Sequence, residues 1–115
     1  MKTSIVYVAM AADLIHPGHI NILKIARDYA DKIKGEVVLG LLTDSAIASY
    51  KRLPYMDYDK RRIVMENLRL VDRIAPQDTL SYEHNIRKFK PRYVIHGDDW
   101  KSGVQSSVRQ NVIDT

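Results

Sequence analysis

His16-Pro17-Gly18-His19, preceded by Asp13, is the densest group of chemistry-bearing residues in the chain. The histidines stand three apart on either side of Pro17 and Gly18, so both imidazoles converge on one point if the segment opens a helix. Pro17 suits a first helical turn because its missing N–H would be unpaired there anyway, and Gly18 removes a side chain that would keep a phosphate from the backbone. A helix N-terminus attracts anions, and two imidazole donors held at it bind harder as negative charge grows on the oxygens around an attacked phosphorus. The chemistry indicated is phosphoryl or nucleotidyl transfer. Two plainer readings stand beside it. In one, His16 is a helix cap and His19 a surface residue; in the other, the pair ligates a metal, for which two histidines without a nearby cysteine or glutamate are a poor set. No P-loop and no GxGxxG run occurs, which disfavours Walker-type hydrolysis and hydride-transfer cofactors.

To present that cluster at a helix start, the chain needs a strand in front of it. Ile5-Val6-Tyr7-Val8-Ala9 is such a strand and Glu36-Val37-Val38-Leu39-Gly40-Leu41-Leu42 a second, both apolar without alternation, as strands covered on two faces must be. Between them a helix places Ile20, Leu23, Ala26, Ala30 and Ile33 on one face and is expected to end at Gly35 as its cap. This is a β-α-β unit, and its right-handed connection puts both strand carboxyl ends on one edge. Further along, the pattern predicts a short helix over 44–50, a loop through Asp57, and a helix over about 59–70 with Ile63, Val64 and Leu68 inward. A strand over 71–75 closed by Pro76, a helix over 81–88, a strand over 92–96, a turn at 97–100 and a last helix over 104–113 follow. The fold expected is α/β, a Rossmann-like open, doubly wound parallel sheet with helices on both faces and ligands at the carboxyl ends of its strands.

Composition agrees with one domain spanning 1–115: 115 residues with 45% hydrophobic content suffice for one core. With no cysteine there is no disulfide framework, thiolate metal site or thiol nucleophile, which fits a reducing compartment. The first apolar run is far shorter than the roughly twenty residues of a membrane span, so no membrane partner and a cytoplasmic location are expected. A formal net charge of +4 favours a small polyanion. Lys51, Arg52, Lys60, Arg61 and Arg62 lie on a connection that starts at the ligand edge, where a triphosphate needs compensation, although such runs are usually solvated faces. No aromatic interleaving accompanies them, so nucleic acid is not expected. Gly97-Asp98 follows the last strand, where a glycine lets a base or ribose approach the backbone, or forms an ordinary turn. His84 reads as an exposed helix residue and His96 as lining the site.

The D-x-x-H-x-G-H loop is followed in order by Leu42-Thr43-Asp44, Tyr58 to Arg61, Arg69-Leu70-Val71-Asp72 and Gly97-Asp98-Asp99-Trp100. Together these blocks resemble the cytidylyltransferase branch of the HxGH nucleotidyltransferase superfamily. The chain is similar to glycerol-3-phosphate cytidylyltransferases over nearly its whole length. Around residues 50–55 and 96–100 it resembles still more closely the cytidylyltransferase domains of phosphonate biosynthesis, including those fused to phosphoenolpyruvate mutase. The resemblance implies transfer of CMP from CTP, with Mg²⁺ or another divalent cation, to a small phosphate or phosphonate acceptor, by a homodimer. It implies that His16 and His19 act at the α-phosphate, and Arg61 with Lys51 or Arg52 at the leaving pyrophosphate. Ala11, Ala12, Asp13, Gly18, Thr43, Gly97 and Asp98 would contact the nucleotide, and Arg69 would belong to a subunit-interface segment or else complement a helix dipole. Two departures stand out. Met10-Ala11-Ala12-Asp13 replaces the family's Gly-x-Phe-Asp, and no R-T-x-G-I-S-[ST] block occurs, so the domain is expected to lack its C-terminal strand and motif. An adenylyltransferase and a non-catalytic nucleotide-binding or dimerisation module are the alternatives.

Overall fold

The computed structural model describes residues 3–50 and 52–96. β1 (Ile5–Met10), β2 (Glu36–Leu42), β3 (Arg73–Gln77) and β4 (Tyr93–Ile95) form one sheet in the order β3-β2-β1-β4, and every neighbouring pair is parallel. The connections carry α1 (Pro17–Lys32), α2 (Asp44–Ala48), α3 (Tyr58–Glu66) and α4 (Glu83–Phe89). Successive residues of β1 and β2 are buried on opposite faces, which explains the unbroken apolar runs. On one face Val6, Val8, Met10, Val37, Leu39 and Leu41 pack against Leu23, Ala26 and Ala30 of α1 and Met65 of α3. On the other, Tyr7, Val38 and Ala75 meet Tyr82, Ile86 and Phe89 at α4. The sheet is therefore clad on both sides, as expected of a doubly wound fold. Because the chain winds outward from β1 through β2 to β3 and then returns to β4, the direction of winding switches between β1 and β4.

Four local expectations are corrected. The residue that leaves α1 in the left-handed region is Lys34 (φ 53°), not Gly35. Lys34 N–H donates to Asp31 O (3.3 Å) and Gly35 N–H to Ala30 O (2.8 Å), the double closure of a Schellman end. Gly35 is needed for another reason: a Cβ there would run into the carbonyl of Ser4. α3 ends at Glu66 rather than near residue 70, and its inward residues are Arg61 and Met65, with Leu68 packing just beyond its end. Ile63 and Val64, expected inside, are 52% and 43% exposed. Pro76 lies within β3 instead of closing it; β3 is an edge strand, which tolerates a residue without an N–H on its solvent side. The expected turn at 97–100 and helix over 104–113 fall outside the described residues.

Candidate active site

At the start of α1 each histidine caps for the other. His16 is the N-cap, its Nδ1 accepting from Gly18 N–H (3.0 Å), while His19 Nδ1 accepts from His16 N–H (3.2 Å). This is a reciprocal capping box built from imidazoles, with ring centroids 4.1 Å apart. A ring nitrogen that accepts carries no proton, so each neutral imidazole holds its proton on Nε2. The capping geometry does not exclude the chemical reading, because the cap leaves Nε2 as the protonated nitrogen of a neutral ring. Gly18 serves this geometry directly: a Cβ there would sit 2.7 Å from His16 Cε1, inside van der Waals contact.

The loop between β1 and α1 turns at Ala12, a buried residue with φ 53°, a conformation that costs an L residue about 1–2 kcal/mol. The turn sends Asp13 inward. Its carboxylate, 5% exposed, accepts from Tyr55 N–H and Met56 N–H (2.9 Å each), and Arg52 Nη2 lies 3.5 Å away. Burial pushes the acid up, but the two backbone N–H groups together with Arg52 and Arg61 outweigh it and hold the carboxyl below its ordinary range. Asp13 is thereby a peg on which residues 52–56 hang at the end of β1. Arg52 also lies over the Tyr55 ring, 4.3 Å from its centroid.

Arg61 is wholly buried, beneath the loops. Its guanidinium donates to Ala11 O (2.8 Å), Leu42 O (2.6 Å), Met56 O (2.9 Å) and Asp44 Oδ1 (2.7 Å). One cation therefore ties the end of β1, the end of β2, the 52–56 loop and α2 together, which is why α3 turns Arg61 inward and leaves Ile63 and Val64 outside. Thr43 caps α2, its Oγ1 accepting from Ala46 N–H (3.3 Å), and its own N–H donates to Gln77 O (3.0 Å) across to β3. Lys51, Gly97 and Asp98 lie outside the described residues.

Sequence reasoning missed two polar assemblies. Asp72 Oδ2 accepts from Val37 N–H and Arg27 Nη1 (2.7 Å each), stapling α1 to the start of β2. Tyr7 OH donates to Gln77 Oε1 (2.5 Å) and accepts from Asn85 Nδ2 (2.8 Å), and burial pushes its pKa up to about 12 against the lowering effect of the Asn85 bond. A Cβ at Gly40 would strike the Tyr7 hydroxyl, so the glycine in the middle of β2 was the available signal. Beside this network, a cavity of about 280 Å³ opens at the carboxyl end of β3, lined by Gln77, Asp78, Thr79, Ser81, His84 and Asn85. His84, exposed on α4 as expected, borders it, and His96 stands 6.1 Å from the Tyr82 ring.

A parallel sheet in this order, with a histidine-capped helix following β1 at the winding switch, defines a protein of the Rossmann-like α/β class. Residues 11–113 match the model of the cytidylyltransferase-like family, and the chain belongs to that family. It is 31% identical over 90 residues to glycerol-3-phosphate cytidylyltransferase of Staphylococcus aureus, covering 77% of this chain and 65% of that protein. With the enzyme of that name from Bacillus subtilis it shares 30% identity over 95 residues, covering 77% and 67%. A FAD synthase of Aciduliprofundum boonei is 32% identical over 89 residues, covering 77% and 57%. The chain thus spans about two thirds or less of these relatives' lengths. The fold is matched by the crystal structure of a lipopolysaccharide core biosynthesis protein from Thermoplasma volcanium, with a TM-score of 0.77 at 24% identity over 95% of this chain and 88% of that one. Among the described residues, no helix is long and apolar enough to cross a membrane.

Proposed function

We propose that the chain is the nucleotidyl-transfer domain of a CTP-dependent cytidylyltransferase acting on a small phosphate or phosphonate. A phosphate or phosphonate oxygen attacks the α-phosphorus of CTP in line, the bond from that phosphorus to the β-phosphate bridging oxygen breaks, and pyrophosphate leaves. No covalent enzyme intermediate is required. The observation that carries this reading is the His16–His19 capping box, which commits both Nδ1 atoms to the backbone and both protons to Nε2. Two Nε2–H donors at a helix N-terminus stabilise the charge that develops on the α-phosphate oxygens. Lys51 or Arg52 meets the leaving pyrophosphate, and Gly97 and Asp98 meet the nucleoside. Arg61 acts as a positioning residue: its hydrogen bonds hold the loops around the phosphate in place. The β3 cavity, on the same edge of the sheet, gives a small acceptor room.

Among the described residues, the carboxylates near the histidines are already engaged, so a divalent ion would enter the site with the substrate. Asp13 and Asp44 are engaged with backbone N–H groups and arginines, and the described residues contain no group of three His, Cys, Asp or Glu able to hold a metal. Mg²⁺ would accordingly arrive on the nucleotide phosphates. Homodimerisation and a cytoplasmic location belong to the same proposal. The FAD synthase relative favours a second reading, adenylyl transfer from ATP on the same fold.

The test is pyrophosphate release with Mg²⁺ and CTP or ATP against a panel of phosphate and phosphonate acceptors, on this chain and on one extended past Thr115. Release from CTP with one acceptor is expected, and His19→Ala is expected to lower turnover about a hundredfold or more with folding intact. Release from ATP alone would establish the second reading. Nucleotide binding without release in either chain would make the domain a binding or dimerisation module.

A further inference from the structure

The amino edge of the sheet, opposite the histidine pair, holds a larger cavity of about 840 Å³ at the starts of β1, β2 and β3 and the end of α4. Its charged lining residues are Glu36, Arg73, Lys88, Lys90 and Arg92. Glu36 already neutralises Arg73, with Oε1 2.6 Å from Nη2. Lys88, Lys90 and Arg92 have no carboxylate within ion-pair distance among the described residues, so three positive charges face one space.

One detail argues against idle surface lysines: Arg73 and Lys88 both sit over the ring of Phe89, at 5.7 and 5.3 Å, so an aromatic side chain in the cavity wall holds these cations in place. Lys90 ends α4 with φ 49°, the left-handed cap that Lys34 also makes on α1 and that a glycine would adopt without strain. Basic residues at a helix C-terminus are explained in part by the dipole. That account does not reach Arg92, two residues past the cap, nor Arg73 on β3. The volume lies in the range of about 300–1,000 Å³ typical of small-molecule sites.

We propose that this cavity is a second anion site, separate from the transfer edge, which takes the phosphate chain of a small polyphosphate, free or carried by a nucleotide. It rests on the lining alone and stands whether or not the transfer reaction is the one proposed above.

Backbone amide NMR of the full chain, titrated with sodium tripolyphosphate at about physiological ionic strength, tests it. Saturable shifts are expected at residues 3–5 and 88–92. The double variant Lys88→Gln/Arg92→Gln is expected to weaken these shifts at least tenfold while leaving any response at residues 16–19 unchanged. Lys90→Gly is expected to raise the thermal midpoint and yet weaken anion binding, a pair of changes that a purely structural lysine would not produce. A parallel titration with CTP identifies the source. Equal affinity for tripolyphosphate and CTP means that the phosphate chain alone is read, and tighter CTP binding at residues 88–92 means that a nucleoside is read as well. Saturation confined to residues 16–19, a non-saturating drift of all exposed lysine and arginine amides, or tighter binding of a poly-glutamate peptide than of tripolyphosphate would overturn the proposal.

Discussion

At the carboxyl edge of the sheet Asp13 and Arg61 are turned inward onto the protein's own backbone, whereas at the amino edge, beside the bonded pairs Asp72–Arg27 and Glu36–Arg73, Lys88, Lys90 and Arg92 line open space. Asp13 is buried under two backbone N–H groups, and Arg61 is buried against three carbonyls and Asp44. Among the described residues, the side chains of Lys88, Lys90 and Arg92 have no carboxylate within ion-pair distance. The difference lies in what each charge does. A buried, fully bonded ion acts as a rivet for loops, because removing one partner strands the others without water, whereas a solvated cation contributes little to the fold and stays available to a ligand. The histidines fall between these cases: each is bonded through Nδ1 to a backbone N–H without being buried.

The largest effect that would break this comparison is at Arg61. Arg61→Met leaves Asp44 and three carbonyls without their donor and is expected to cost about 3–5 kcal/mol in urea denaturation; a loss below about 1 kcal/mol would mean that the carboxyl edge does not hang on this residue. Next comes His16→Asn. Asparagine is as good an N-cap, so stability should change by only a few tenths of a kcal/mol, while pyrophosphate release falls about a hundredfold, equivalent to about 2.7 kcal/mol in the barrier. Equal losses of stability and turnover would reduce His16 to a cap.

Asp13→Asn is expected to cost about 1–3 kcal/mol, because an amide accepts from one backbone N–H and points its own donors at the other and at Arg52. The wild-type carboxyl is held below its ordinary range, so its contribution is complete above the unfolded value near 3.9 and drains away as pH falls through the lower folded value. Acid denaturation profiles of the two proteins should therefore converge at low pH and separate above about pH 4. The smallest effect sharpens the contrast from the other side: Lys88→Gln should move stability by no more than about 0.5 kcal/mol. A larger loss would show that the amino-edge cations are structural after all.

Much of the fold was legible because its signals are local. An unbroken apolar run marks a strand buried on two faces, and the apolar spacing around Leu23, Ala26 and Ala30 marks α1. The facing of α3 was not legible, since Ile63 and Val64 look like core residues and Arg61 like surface. Nothing within nine helical residues says that a guanidinium will find carbonyls at the ends of two distant strands. Pro76 misled in the same way, because only the sheet order makes β3 an edge. At the site, the His-x-Gly-His spacing pointed to paired imidazoles on a helix start, and the structure added that they cap one another. Asp72 gave no such signal, its partners being Arg27 and the N–H of Val37.

By itself, then, the chain's order of residues determined the parallel α/β architecture, the position of the histidine pair after the first strand and the family to which these belong. The first two depend on periodicity or on residues within one turn of one another, and the family on several such short blocks in order along the chain. Tertiary structure alone decided which charges are buried and which are left to a ligand. Asp13 finds its backbone partners 42 and 43 residues away and Arg61 reaches Ala11 across 50, separations that close only when the strand ends come together. The amino-edge cavity exists for the same reason: Glu36, Arg73 and Lys88 come from three elements and share a space only once the sheet has formed.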